Sequence, residues 1–317
     1  MPLRLVMMGT GEFALPALLS LYDSRHAVVG LFTQPDRGGE GHHHHANPMK
    51  DAALEQQTPV FQPHDAAAPE SLADLEALRP DLCVVAAYGQ ILSPELIGLP
   101  RLGCVNLHAS LLPKYRGAAP VHYAILRGEA ETGVTIFQIE PKLDAGAILG
   151  ITKTSIGPRE TTGELTGRLA ELAVPLVHRV LDQLESGTAK PVPQDASQIS
   201  KAPRLKKTAG EIDWSQSAAE IDRHLRAMQP WPKPFTFLHH ADREPLRLIV
   251  LEIEPAQGIS TNGPPGTVLS DDSRLIVQTG DVPVAVRRLQ PSGKRTMTAA
   301  EFLRGHALAP GDRLGAE

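Results

Sequence analysis

Apolar positions in the first half of the chain fall into short, fully hydrophobic, β-branched runs, separated by segments with helical spacing. Residues 3–8, 27–33, 59–61, 82–87 and 104–107 read as strands. Residues 13–21, 48–57, 69–78 and 91–97 read as helices. Strands that are apolar on both faces and alternate with helices predict a parallel sheet covered on both sides. Right-handed crossovers then give a doubly wound α/β domain. Residues 162–184 form the clearest helix: Leu165, Leu169, Leu172, Leu176, Val180 and Leu184 recur at steps of three and four. Gly187 stands at its expected stop, Pro175 is expected to kink its middle, and the helix is expected to pack on the sheet.

Beyond residue 200 the pattern changes. Lys201, Arg204, Lys206 and Lys207 fall in nine irregular residues, which read as a basic linker. Short β-rich runs follow at 246–253, 266–269, 275–279 and 284–289, separated by Gly/Pro/Asp clusters. They predict a small, OB-like β-barrel. The expected fold is α/β: a doubly wound, mostly parallel, Rossmann-like sheet with a smaller C-terminal barrel. The boundaries are 1–200 for the first domain, 201–210 for the linker and 211–317 for the second.

Composition narrows the class. The 317 residues are 42% hydrophobic and 21% charged, enough apolar chain for a sizeable core. No run of 18 apolar residues predicts a membrane span, and the first residues lack a signal-peptide pattern. Cys83 and Cys104 both lie in apolar runs, which suits buried core thiols and a cytoplasmic, reducing setting. The net charge of −5 argues against coating nucleic acid through bulk charge. From Leu205 onward basic and acidic side chains balance, so the whole deficit lies in the first domain.

Two constellations suggest chemistry. Gly9-Thr10-Gly11-Glu12-Phe13-Ala14 follows a strand and precedes a helix, and Asp36 ends the second strand. That pattern fits an NAD-dependent dehydrogenase, although any tight strand-to-helix turn needs glycines. The second is the stretch from Asn106 to Gly117. Asn106 and His108 are two apart at a strand end, so they share a face. The carboxyl end of a parallel strand is where doubly wound sheets place ligand groups. Ser110, Leu111, Leu112 and Pro113 form a tight apolar loop that could hold a flat ligand with backbone groups. Asp144, in the turn Leu143-Asp144-Ala145-Gly146, could orient an imidazole if that turn returned to the same edge.

Asn106-x-His108 with Ser110-Leu111-Leu112-Pro113 and then Asp144 resembles the folate-dependent formyltransferase family. Thr33-Gln34-Pro35-Asp36-Arg37, Val85 to Leu92, Tyr115 to Pro120, Gly210-Glu211-Ile212-Asp213-Trp214, Pro230-Trp231-Pro232 and Ala299 to Gly305 carry the likeness nearly end to end. The resemblance implies a donor, 10-formyltetrahydrofolate, and an acceptor, the α-amino group of initiator methionyl-tRNA, with tetrahydrofolate released. It makes residues 1–200 the catalytic domain and 211–317 a tRNA-binding domain. It implies that Asn106 donates to the formyl oxygen, and that His108, at least partly protonated, stabilises the same oxyanion. Asp144 would hold His108 and help pass the proton. Residues 110–113 would line the folate site. No metal is implied, and a monomer acting off the membrane is expected.

Arg37, Lys206 and Lys207 would contact tRNA, with affinity falling as salt rises. One loop departs from the family pattern. Glu40 stands where an arginine is expected, and His42 to His45 replace lysines, which weakens its grip on phosphate at neutral pH. The histidine run reads as a polar loop, with a metal site as its alternative. Trp214 and Trp231 would wedge the domains together or stack on nucleotides. A related formyltransferase acting on a nucleotide-linked amino sugar shares the three polar residues and is the main competing reading.

Overall fold

The computed structural model describes the chain except residues 37–46, 241–242, 257, 260–262, 272–273, 310 and 317. Arg37, Glu40 and His42 to His45 therefore lie outside the described residues.

The elements run β1 (Arg4–Gly9), α1 (Leu15–Tyr22), β2 (Ala27–Phe32), α2 (Pro48–Glu55), β3 (Val60–Phe61), α3 (Pro69–Ala77), β4 (Leu82–Ala86), α4 (Pro94–Gly98) and β5 (Cys104–His108). Then come α5 (Pro120–Leu126), β6 (Glu131–Gln138), β7 (Ile148–Ser155) and α6 (Thr162–Glu185). The sheet order is β3-β2-β1-β4-β5-β6-β7. The pairs from β3 to β5 are parallel, whereas β5–β6 and β6–β7 are antiparallel. Strand order reverses between β1 and β4, the switch point where such sheets open a crevice.

Burial explains why the central strands are wholly apolar. On β1, Val6 and Met8 pack with Cys83, Cys104, Phe32 and Leu75 on one face. Leu5 and Met7, pointing the other way, are equally inaccessible. Cys83 and Cys104 face each other on β4 and β5 as free, buried thiols.

The long helix that follows this sheet in the chain, α6, runs unbroken through Pro175. Its Leu176 and Val180 lie against Gly150 of β7, so it packs on the sheet. The short α4 begins three residues later than the apolar spacing suggests. Ser93 caps it by accepting from the Leu96 amide, and Ile91 is left exposed.

The C-terminal elements are α7 (Ala218–Ala227), β8 (Phe235–His239), β9 (Leu246–Pro255), β10 (Val268–Asp271), β11 (Arg274–Val277), β12 (Val284–Pro291), β13 (Met297–Thr298), α8 (Ala299–Gly305) and β14 (Arg313–Gly315). The antiparallel order is β10-β11-β12-β9-β8-β14, with β13 against β12. Among the described residues no ladder closes this sheet into a barrel, but its two edges meet where Thr267, just before β10, bridges to Arg313 of β14 and the Leu314 N–H donates to the Gly266 carbonyl at 2.8 Å. Both helices start with a capping box, Ser217 with Glu220 and Thr298 with Glu301.

Their apolar faces join strand residues such as Leu248, Val250, Val277 and Val286 in one core. Trp214, only 3% exposed, belongs to that core, and its indole N–H donates to Thr236 Oγ1 at 3.0 Å. It is a core residue of the C-terminal fold, not a wedge or a stacking platform.

Two compact units emerge. One holds Met1–Val121, Ala130–Ile156 and Glu164–Pro203; the other holds His122–Glu129, Gly157–Gly163 and Arg204–Glu317. The segment read as a linker is therefore structured. Arg116 bridges to Lys201, Ala202 N–H donates to Arg116 O, and Lys207–Gly210 form a 3₁₀ turn. Among the described residues, no helix is long and apolar enough to cross a membrane.

Candidate active site

β5 ends the parallel part of the sheet and carries Asn106 and His108. Asn106 pairs with Val85 on one side and Phe137 on the other. It is half-buried, and its carboxamide forms no hydrogen bond among the described residues. His108 is 6% exposed. Its Nε2 lies 2.9 Å from the carbonyl of Tyr115. A carbonyl only accepts, so Nε2 carries a proton and the neutral ring keeps its lone pair on Nδ1. Burial pushes the His108 pKa below the usual imidazole value, opposed by the charge of Asp144 and by the Tyr115 carbonyl. That direction favours a neutral ring at rest, whereas the resemblance implies a partly protonated one.

Asp144 reaches the site from the β6–β7 turn. Its Oδ2 is 4.0 Å from His108 Nδ1, too far for a direct hydrogen bond and close enough for a water bridge. The same oxygen accepts the Gly117 N–H at 2.7 Å. The Tyr115 carbonyl thus orients the imidazole, while Asp144 supplies its charge. Gly117 has φ +123, and a Cβ there would sit 2.5 Å from the Ala202 carbonyl oxygen. Only glycine fits between Asp144 and the 200–202 strip.

Gln194 locks the acid's turn. Its amide donates to the carbonyls of Asp144 and Gly146 at 2.9 and 2.8 Å, and its Oε1 accepts from Arg116. Neither Gln194 nor Tyr115, which acts through its backbone, stands out in the sequence.

Residues 110–113 bend back under β6. Ser110, Leu112 and Pro113 are buried. Thr135 Oγ1 donates to the Ser110 carbonyl at 2.7 Å and accepts from the Leu112 N–H at 3.1 Å. The Ser110 hydroxyl donates to the Lys114 carbonyl at 2.7 Å. The loop is thus held from within, and its side chains serve packing. A buried threonine on a strand is the signal that could have marked Thr135.

The Gly9–Ala14 turn offers little to a dinucleotide. α1 starts at Leu15, and the Asp36 carboxylate is already engaged by Lys50 and Gln62. Among the described residues, one cluster has metal-like composition: His26, Asp182 and Glu185. His26 Nδ1 accepts the Leu3 N–H, and both acids pair with Arg25. That leaves a protonated Nε2, the wrong form for a metal ligand. Lys206 and Lys207 are exposed and belong to the C-terminal unit.

The sequence matches the family described as formyl transferase over residues 3–181, and that described as formyl transferase, C-terminal domain, over residues 204–307. The chain belongs to the formyltransferase family. Full-length relatives place it in one branch. Methionyl-tRNA formyltransferase of Acidiphilium cryptum is 46% identical over 99% of this chain and 100% of its own length. That of Hydrogenovibrio crunogenus is 42% identical over 99% of both.

Solved structures share the fold at lower identity. HypX from Aquifex aeolicus in complex with tetrahydrofolic acid has a TM-score of 0.63 and 17% identity over 96% of this chain. This chain spans about half the length of that protein, 47%. WlaRD, a sugar 3N-formyl transferase, has a TM-score of 0.66 and 16% identity over 93% of this chain and all of its own. The methionyl-tRNA formyltransferases are thus far nearer in sequence than the sugar enzymes. The glycine-loop dehydrogenase reading gives way to a one-carbon formyl transfer enzyme.

Proposed function

We propose that this enzyme transfers the formyl group of 10-formyltetrahydrofolate to the α-amino group of initiator methionyl-tRNA. It releases tetrahydrofolate and acts as a cytoplasmic monomer. The observation that carries the reading is the approach of His108 Nδ1 to Asp144 Oδ2, two residues from the unengaged amide of Asn106.

The amine nitrogen attacks the formyl carbon, and negative charge develops on the formyl oxygen. The Asn106 carboxamide N–H donates to that oxygen, an interaction typically worth ~3 kcal/mol in the transition state. Neutral His108 takes the proton of the attacking amine on Nδ1, directly or through the water that the 4.0 Å gap to Asp144 admits. The imidazolium so formed is stabilised by the Asp144 carboxylate and the Tyr115 carbonyl. It returns the proton to N10 of the folate as the carbon–nitrogen bond breaks. Ser110, Leu111, Leu112 and Pro113 line the folate site. Arg37, Lys206 and Lys207 hold tRNA phosphates, with residues 211–317 as the tRNA-binding domain. No step calls on a metal.

The deciding experiment offers the purified enzyme labelled 10-formyltetrahydrofolate with methionyl-tRNA and a nucleotide-linked amino sugar side by side. Label in the tRNA supports the reading. Label in the sugar alone overturns it.

A further inference from the structure

The C-terminal unit carries a groove of about 380 Å³ that the formyl chemistry does not use. The 3₁₀ turn Lys207–Gly210 forms one wall. The other is the segment from Trp231 to Phe235, drawn alongside by the Glu211–Phe235 bridge and the Ile212 N–H to Phe235 carbonyl bond of 2.8 Å. Trp231 is 46% exposed, in contrast to the buried Trp214. Its backbone is fixed on both sides: its carbonyl lies 3.3 Å from His122 Nε2, and the Lys233 N–H donates to the Met228 carbonyl at 2.9 Å. Arg247 lays its guanidinium 4.2 Å from the centre of the Phe235 ring.

Lys207, Lys233 and Arg247 all line the groove, and among the described residues none of the three forms an ion pair and no carboxylate lines it. Three uncompensated cations around a presented indole call for a ligand with both a flat aromatic face and negative charge. A simple anion has no use for the indole, and an apolar peptide has none for the cations. A nucleotide supplies both, and the volume suits one unpaired residue of RNA better than a duplex.

We propose that this groove binds an unpaired nucleotide of the RNA substrate. Its base stacks on Trp231, and its flanking phosphates lie against Lys207, Lys233 and Arg247. The inference rests on the reading of tRNA as acceptor and adds Trp231, Lys233 and Arg247 to its recognition.

The test uses full-length enzyme and a fluorescein-labelled single-stranded tetraribonucleotide ending in CCA, followed by anisotropy. W231A should weaken binding by about tenfold or more, and W231F by less. The salt slope, log K against log salt, should flatten by about 0.7 for each phosphate contact removed in the K207Q/K233Q double variant. Both lysines are exposed, so that variant carries the test even where W231A fails to fold. In parallel, W231A and K207Q/K233Q should raise the KM for methionyl-tRNA by about tenfold, with a smaller change in kcat.

Binding of the oligonucleotide to K207Q/K233Q with unchanged affinity and salt slope overturns the proposal, as does an unchanged KM. Robust formylation of methionyl-tRNA alongside either result leaves the function reading standing. Failure of the wild type to formylate tRNA removes that reading instead.

Discussion

His108 and Asp144 stand 4.0 Å apart, Nδ1 to Oδ2, while the opposite ring nitrogen of His108 is held by the Tyr115 carbonyl at 2.9 Å. The acid acts on the imidazole through its field and leaves the lone pair open toward the reacting amine. His108→Ala should lower kcat by about 10²- to 10⁴-fold with circular dichroism unchanged. Because burial holds the ring below pH 6.5, wild-type activity should persist through that pH and fall only on further acidification. Asp144 raises the ring's pKa, so Asp144→Asn should move the acidic limb of kcat/KM to still lower pH. A limb that stays in place would show that Asp144 acts only through Gly117.

Gly117 couples the acid to the backbone. Gly117→Ala adds a carbon 2.5 Å from the Ala202 carbonyl oxygen at a φ of +123. The variant should be destabilised by about 1–3 kcal/mol. It should also lose activity at temperatures where it remains folded, because the Asp144 carboxylate moves with the Gly117 amide. Thermal unfolding and single-turnover formylation separate the two effects.

Thr135→Val removes the two hydrogen bonds that Thr135 makes to residues 110 and 112 while keeping the volume of the side chain. The lost pairings of a buried backbone should cost about 1–3 kcal/mol. The KM for the folate donor should rise more than that for tRNA, measured by varying each at saturation of the other. Equal changes in both would separate this loop from the folate site.

Stability should decline on acidification. Burial lowers the pKa of His108, His122, His224 and His26 in the folded protein. The unfolded chain therefore binds protons near pH 6.5 that the fold refuses. Stability contributed by these rings is complete above pH 6.5 and is lost as pH falls through their lower folded values. Denaturant midpoints should be level from pH 8 to 7 and drop between pH 6.5 and 5. A level response over that lower range would mean that the four rings stay solvated enough to titrate normally.

Where side chains are apolar on both faces of a strand, as in β1 and β4, one burial solution exists, and the sequence alone reveals the element and the parallel sheet around it. The helix 162–185 was legible for the same reason, through its single apolar stripe. Strand β7 was not: its alternate residues are exposed, and Lys153 and Thr154 give it no apolar signature. Helices α7 and α8 are likewise absent from the elements that the apolar pattern predicts, although their capping boxes are present in the sequence.

At the site, residue types and the two-residue spacing nominate Asn106 and His108, and Asp144 is a candidate on condition that its turn returns to the same edge, a role the resemblance also implies. Only the tertiary structure decided that the Tyr115 carbonyl orients the ring, that burial lowers its pKa, and that Gln194 and Gly117 hold the acid's turn. Those outcomes depend on backbone carbonyls and amides, which every residue carries, and on burial created by segments some 80 residues apart. A one-dimensional pattern encodes which side chains seek the interior. It does not encode which backbone atom will be waiting when they arrive.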